Sequence, residues 1–207
     1  MAQKKRGAIE NAAEIKLLAS PTRIEIVDTL ESLGEFVSVR PPEQRVDENW
    51  YLGTADAIYQ NNFTIEKVQP KYIVILSGDH VYHMDYSLFV REHIASKADA
   101  SIACLPVPLA DGRRFGVMQV DEDRRIVQFR EKPSDPDPMP DRPDLCLASM
   151  GIYVFNIDFL FDRLCSDAND PSSNRDFGKD IIPSMIESAN IRAWPFQDDD
   201  TGKPAYW

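Results

Sequence analysis

The stretch YIVILSGDHVYHMD, from Tyr72 to Asp85, decides the fold class of this chain. It begins with an apolar run rich in β-branched residues, Ile73 to Leu76, which ends abruptly at Ser-Gly-Asp. Such a run predicts a strand that is buried on both faces, as in the parallel sheet of an α/β domain. Ligands of these sheets bind beyond the carboxyl ends of the strands, and Asp79 follows this strand closely.

Asp79 is a candidate metal ligand. Gly78 lets the backbone approach a ligand, and the carboxylate of Asp79 offers oxygen to a hard cation such as Mg²⁺. The alternative is structural, with the Gly-Asp pair turning the chain and Asp79 capping the next segment. His80 and His83 imitate a zinc cluster, but zinc needs ligands that converge on one face, and this spacing in a turn does not supply them.

The composition limits the class of protein. The 207 residues suffice for one large domain, and a hydrophobic fraction of 43% can bury a sizeable core. A net charge of −11 argues against nonspecific binding to nucleic acid or to an anionic membrane. The sequence has no apolar segment of membrane-spanning length and no signal peptide. Cys104, Cys146 and Cys165 lack metal-ligand spacing and form no disulfide framework, which predicts a cytoplasmic protein.

Two parts are predicted, a helical appendage over residues 1–35 and an α/β part over residues 36–207. The patterns at residues 12–19 and 21–33 predict two helices in the appendage. After residue 36 the chain becomes extended and polar before a new pattern begins.

In the second part, helical and strand patterns alternate. Thr54 is predicted to cap a helix that precedes the strand at Tyr72, and this alternation predicts a doubly wound α/β sheet. The further predicted elements are a helix at 85–96, a strand at 100–107, a hairpin of strands at 115–120 and 125–129, a strand at 147–155, helices at 157–164 and 177–188, and a last short strand near Trp194.

The segment NWYLGTADA, from Asn49 to Ala57, permits two interpretations. Gly53 before a helix start could set backbone N–H groups against a phosphate or a base. The simpler interpretation is a capped helix with a hydrophobic lead-in.

A second candidate site lies around the hairpin, where FGVM starts at Phe115 and Glu131-Lys132-Pro133 follows. Lys132 is a point charge suited to a phosphate, and Glu131 can accept hydrogen bonds from sugar hydroxyls. The alternative is a surface ion pair at the end of a strand.

Two later segments carry polar groups. Ser149 and Gly151 interrupt an apolar strand, which indicates either close approach of a ligand or a bulge. The segment SSNRDFGKD, at residues 172–180, either orders a sugar-binding loop or stays solvated.

Taken together, the segments WYLGTADA, ILSGDHVYHMDY, FGVM, EKP, LASMGIYVF and SSNRDFGKDIIP closely resemble the ADP-glucose pyrophosphorylase (glucose-1-phosphate adenylyltransferase) family. The resemblance covers roughly residues 36–207 and implies a partial nucleotidyltransferase domain with a Rossmann-like fold. The implied reaction joins ATP and α-D-glucose 1-phosphate, with Mg²⁺ as cofactor, into ADP-glucose and pyrophosphate for glycogen or starch synthesis.

The resemblance also implies roles for single residues. Asp79 matches the catalytic, metal-binding aspartate of the family, and Lys132 matches the catalytic anchor of the sugar phosphate. The residues that match positions around glucose 1-phosphate and ADP-glucose are Tyr51, Gly116, Glu131, Lys132 and Ser149.

The chain departs from the family pattern at both ends. The family's first strand, its Gly-rich nucleotide loop and its second metal-binding aspartate are not recognisable, and neither is the C-terminal β-helix domain used for homo-oligomeric assembly. Residues 17–27 instead resemble the opening helices of an arsenic-repressor-type winged helix. These departures predict a truncated or fused product whose sheet lacks an interior strand and whose turnover is impaired.

Two other functions stay open from the sequence. A non-catalytic module could bind a sugar phosphate or a nucleotide sugar without turnover. A DNA-binding regulator is disfavoured, because two helices without a basic face do not read DNA.

Overall fold

The computed structural model describes residues 15–19, 51–77 and 84–196. Within these residues, seven strands form one sheet. The strands are β1 (Ile15–Ala19), β2 (Tyr72–Leu76), β3 (Ala100–Pro108), β4 (Gly116–Val120), β5 (Ile126–Glu131), β6 (Leu145–Asn156) and β7 (Ile191–Pro195).

The helices of the described residues alternate with these strands. They are α1 (Thr54–Tyr59), α2 (Asn62–Glu66), α3 (Tyr86–Ala95), α4 (Ile157–Ala168) and α5 (Ile182–Met185), with a 3₁₀ helix at Leu109–Arg114 and a π-helical turn at Phe177–Ile181. Asp85 begins α3 as predicted, since its carboxylate accepts a hydrogen bond from the Ser87 N–H at 2.8 Å. None of these helices is long and apolar enough to cross a lipid bilayer.

The sheet mixes parallel and antiparallel pairs. Its order is β1-β2-β6-β3-β7, and β4 pairs with both β5 and β6. The β1–β2 and β3–β7 pairs are parallel, whereas β6 runs antiparallel to β2 and to β3. The α/β fold class and the β4–β5 hairpin are thereby confirmed, with one long antiparallel strand at the centre of the sheet.

Hydrophobic cores lie on both faces of the sheet. Ile73 and Ile75 of β2 pack on one face with residues of α1, α2, α4 and α5. Val74 points to the other face and packs with Phe89 and Val90 of α3. All three β2 side chains are buried, which confirms a strand covered on both sides.

The prediction of a helix at residues 12–19 is wrong for residues 15–19. These five residues form β1, which pairs in parallel with β2, with Ile15 opposite Tyr72 and Ala19 opposite Leu76. Hydrogen bonding to the edge of β2 outweighs the local helical pattern. Among the described strands β1 lies at the edge of the sheet, so the expected loss of an interior strand stays a prediction.

Candidate active site

Glu131 ends β5 and lies between the β4–β5 hairpin and the turn at Phe177–Ile181, and the space around its carboxylate is called the Glu131 cleft. Glu131 pairs with Gly116 of β4, and a Cβ atom added to Gly116 would lie 3.0 Å from Glu131 Oε2. From the other side, a Cβ atom added to Gly178 would lie 2.4 Å from the same oxygen. The two glycines therefore hold the carboxylate between two backbones, where a larger residue would displace it.

Charges of both signs surround this carboxylate. Burial raises the pKa of Glu131, and the negative charge of Asp176 adds to that shift, whereas Lys132 and Lys179 act in the opposite direction. Lys132 Nζ lies 3.7 Å from Glu131 Oε1, and its side chain is 64% exposed. The ammonium group can therefore contact both the carboxylate and a ligand in solvent.

Lys132 has an unusual backbone conformation. Its φ angle is +46°, and its N–H donates to the Phe115 carbonyl at 3.0 Å. A non-glycine residue in this region is strained by roughly 1–2 kcal/mol. Strain of this kind persists where surrounding contacts hold it, and it concentrates at functional sites.

Ser149 and Gly151 lie at the carboxyl end of β2. Gly151 has a φ angle of +69° and sits where β6 slips its register against β3, so the bulge interpretation is confirmed. Its N–H donates to Ser149 Oγ at 3.2 Å, and a Cβ atom there would lie 3.5 Å from Ser77 Cβ. The candidate metal ligand Asp79 follows Ser77 by two positions and lies outside the described residues, as do His80 and His83.

Tyr153 joins this strand to the turn that carries Gly178. Its ring stacks on Phe177, with centroids 5.4 Å apart and planes inclined by 26°. Burial strongly raises the pKa of the Tyr153 hydroxyl, so the phenol stays neutral. The aromatic pair forms an apolar support beneath the Glu131 cleft.

Asp176 orders the loop predicted either to bind sugar or to stay solvated. Its Oδ1 accepts hydrogen bonds from the N–H groups of Gly178 and Lys179, at 2.9 and 3.1 Å. Its Oδ2 accepts a hydrogen bond from Thr54 Oγ1 at 3.1 Å. The Thr54 hydroxyl oxygen accepts in turn from the Phe177 N–H. The prediction that Thr54 caps its own helix is wrong, because Gly53 is the N-cap residue and Thr54 binds this loop instead.

The start of α1 is closed by protein rather than open to a phosphate. The Arg175 carbonyl accepts hydrogen bonds from the N–H groups of Ala55 and Asp56, at 2.9 and 3.4 Å. A Cβ atom on Gly53 would lie 2.2 Å from that carbonyl oxygen. The glycine is needed for the approach of this loop, and the phosphate interpretation of Gly53 is wrong.

Tyr51 is half-buried ahead of α1, and its hydroxyl accepts a hydrogen bond from Asn61 Nδ2 at 2.8 Å. Thr54, three positions later in the chain, donates to Asp176 in the loop that borders Glu131. Tyr51 precedes α1 and Ser149 lies within β6, so these two predicted site residues come from different elements.

The sequence interpretation missed residues that build this cleft. Asp176, Gly178 and Lys179 lie in a segment whose charges were recognised without individual roles. The available signal was an aspartate before Phe-Gly-Lys, an arrangement that caps a helical turn. Among the described residues, no group of three His, Cys, Asp or Glu side chains converges to hold a metal ion.

A separate cavity of about 830 Å³ lies at the other end of β2, lined in part by Tyr72, Asn156 and Phe159. Glu131 and Lys132 do not line this cavity, so it is not the Glu131 cleft.

Comparisons with known proteins agree with the geometry. A model of the family described as "Nucleotidyl transferase" matches residues 6–207, which includes most of the segment predicted as an unrelated appendage. Relatives named glucose-1-phosphate adenylyltransferase come from Rhodopirellula baltica, 55% identical over 84% of this chain and 39% of the relative, and from Methylococcus capsulatus, 54% identical over 84% and 41%. A Shewanella relative of the same name is 52% identical over 86% of this chain and 42% of its own length. The chain thus spans about two fifths of the length of these curated relatives. On this match, the chain belongs to the nucleotidyl transferase family.

Proposed function

We propose that this chain takes part in making ADP-glucose and pyrophosphate from ATP and α-D-glucose 1-phosphate, a cytoplasmic step of glycogen or starch synthesis. The observation that carries the proposal is the Glu131 cleft, in which an exposed ammonium group stands beside a half-buried carboxylate. A sugar phosphate has the matching groups, because its phosphate pairs with a cation and its hydroxyls donate to a carboxylate. The names of the relatives support the same choice.

The roles follow from the chemistry of each side chain. Lys132 anchors the phosphate, and Glu131 accepts hydrogen bonds from the sugar hydroxyls. Tyr51, Gly116 and Ser149 surround the same substrate. An oxygen of the sugar phosphate attacks the α-phosphorus of ATP in line, and the bond from that phosphorus to the bridging oxygen breaks as pyrophosphate leaves.

Asp79 is the proposed ligand of a divalent metal. Nucleotidyl transferases generally use one, and Asp79, which follows β2 in the sequence, carries a carboxylate, a group that suits Mg²⁺. The contact of Gly151 with Ser77 puts this end of β2 beside Ser149. When bound by Asp79, Mg²⁺ would neutralise the charge that grows on the pyrophosphate.

The test is release of pyrophosphate from ATP, Mg²⁺ and glucose 1-phosphate, with Asp79→Asn as the control. Turnover that is lost in Asp79→Asn supports the proposal. Binding of glucose 1-phosphate to the folded chain without turnover would replace it with a non-catalytic sugar-phosphate module. Absence of both binding and turnover would refute it.

A further inference from the structure

We propose that Asp56 and Arg175 are positioning residues that lock the loop at residues 170–176 onto the start of α1, and so fix the wall that faces Glu131. The effect of this pair on substrate binding rests on the proposed function. The coupling between the two segments is a property of the fold and is tested without substrate.

The two side chains form an ion pair shielded from solvent. Arg175 Nη1 donates to Asp56 Oδ1 at 3.2 Å, and the exposed fractions of the side chains are 20% and 1%. The other oxygen of Asp56 accepts from the Leu52 N–H at 2.9 Å and from Gln60 Nε2 at 2.8 Å. Both carboxylate oxygens thus accept hydrogen bonds from protein groups. The pair therefore stabilises the fold and does not bind a ligand.

The backbone of Arg175 makes the second attachment. Its carbonyl receives the first N–H groups of α1, and its own N–H donates to Ser173 Oγ at 2.8 Å. Its φ angle is +55°, a strained conformation for arginine. The side chain pulls toward Asp56 while the carbonyl caps α1, so contacts on both sides hold the strained residue in place.

The effect of this attachment passes to Glu131 over a short path. Asp176 directly follows Arg175 and binds Thr54 on one side and the N–H of Gly178 on the other. Gly178 packs against the Glu131 carboxylate. A shift of Arg175 therefore moves the backbone that borders the carboxylate.

Hydrogen exchange of single amides in the full chain tests the coupling. In Asp56→Asn and in Arg175→Gln, we expect protection of the Ala55, Gly178 and Lys179 amides to fall by about 10-fold or more, because a broken shielded pair leaves its partner unsatisfied. The double variant Asp56→Asn/Arg175→Gln should lose little more protection than either single variant, since both changes remove the same contact. Arg175→Lys, which keeps the charge, should give an intermediate loss.

The matched control is Arg142→Gln, because Arg142 forms an exposed pair with Asp144 at 3.9 Å. In this variant the Ala55, Gly178 and Lys179 amides should keep their protection. In the test variants the amides of β3 should keep theirs. Unchanged protection at Ala55 and Gly178, or an equal loss throughout the sheet, would overturn the proposal.

Steady-state kinetics then tests the effect on substrate. We expect Asp56→Asn to raise the KM for glucose 1-phosphate by about 10-fold while kcat changes by less than about 3-fold, the pattern of lost substrate positioning. A fall in kcat at constant KM would contradict this pattern. If the unaltered chain neither binds nor converts glucose 1-phosphate, the proposed function fails, and the exchange measurements still decide the coupling.

Discussion

Two ion pairs border the candidate site, and they differ in exposure to solvent and in how many protein groups bind them. In the Asp56–Arg175 pair, 3.2 Å apart, the carboxylate is 1% exposed and its oxygens accept from several protein donors. In the Glu131–Lys132 pair, 3.7 Å apart, the Lys132 side chain is 64% exposed. A pair saturated by protein serves as scaffold, whereas a loose pair beside a cleft keeps its charges available for a ligand.

The largest expected effect comes from breaking the loose pair. On the proposed function, Lys132→Ala should lower the rate of ADP-glucose formation by about 10²–10³-fold, roughly 3–4 kcal/mol, because the sugar phosphate would lose a preorganised charge. Steady-state release of pyrophosphate measures it, and thermal melting should show little change. Arg142→Ala is the control, and an activity loss as large in that variant would contradict a specific role for Lys132.

Breaking the saturated pair should act on stability instead. Asp56→Ala removes the acceptor of Arg175 Nη1 and of the Leu52 N–H, so we expect the free energy of unfolding to fall by about 3 kcal/mol. Urea denaturation measures this change. Asp144→Ala, in an exposed pair, should cost less than about 1 kcal/mol. Equal costs in the two variants would remove the distinction between the pairs.

Crowding the loose pair sharpens the comparison. The added methyl group of Gly178→Ala would meet the Glu131 carboxylate, and overpacking of this kind costs about 1–3 kcal/mol. Urea denaturation should show that loss, and truncation in Gly178→Ala/Glu131→Ala should recover part of it. If the double variant is no more stable than Gly178→Ala, the collision lies elsewhere.

The smallest effect concerns a buried histidine outside both pairs. Burial lowers the pKa of His93 from its ordinary value of 6.5, although the nearby Asp99 acts in the opposite direction. The unfolded chain therefore binds more protons at this residue just below pH 6.5, so its contribution to stability is complete above that pH and declines as the pH falls. Urea denaturation at pH 7.5 and 5.5 should show that the free energy of unfolding changes less with pH in His93→Gln than in the unaltered chain. An equal change in both proteins would exclude His93 as its source.

Much of the fold follows from local patterns. The apolar run of β2 and the N-cap at Asp85 specify their elements from within a few residues, and the structure confirms both. The run at Ile15–Ala19 was misassigned, because five residues carry too little periodicity to distinguish a helix from a strand. Its pairing with β2 is a non-local contact. The boundary near residue 36 stays a prediction.

The candidate site was predictable in part. Glu131 and Lys132 are adjacent in sequence, so their pairing is visible in a short motif. The partner of Asp56 is 119 positions away, and a pattern within either segment gives no sign of it. The side chains proposed to bind a ligand are visible from their chemistry, while those that hold the surrounding segments together require the tertiary structure.

The contact between Thr54 and Asp176 also has a consequence for the order of folding. The two residues are 122 positions apart, so their contact closes a long loop, and the entropy of that closure must be overcome before the contact stabilises anything. On a ribosome, α1 emerges well before Arg175, and its first N–H groups lack their carbonyl partner until the later segment arrives. The contact between the start of α1 and the loop at residues 170–176 is thus completed after most of the sheet has been synthesised, which makes the wall beside Glu131 a late product of folding.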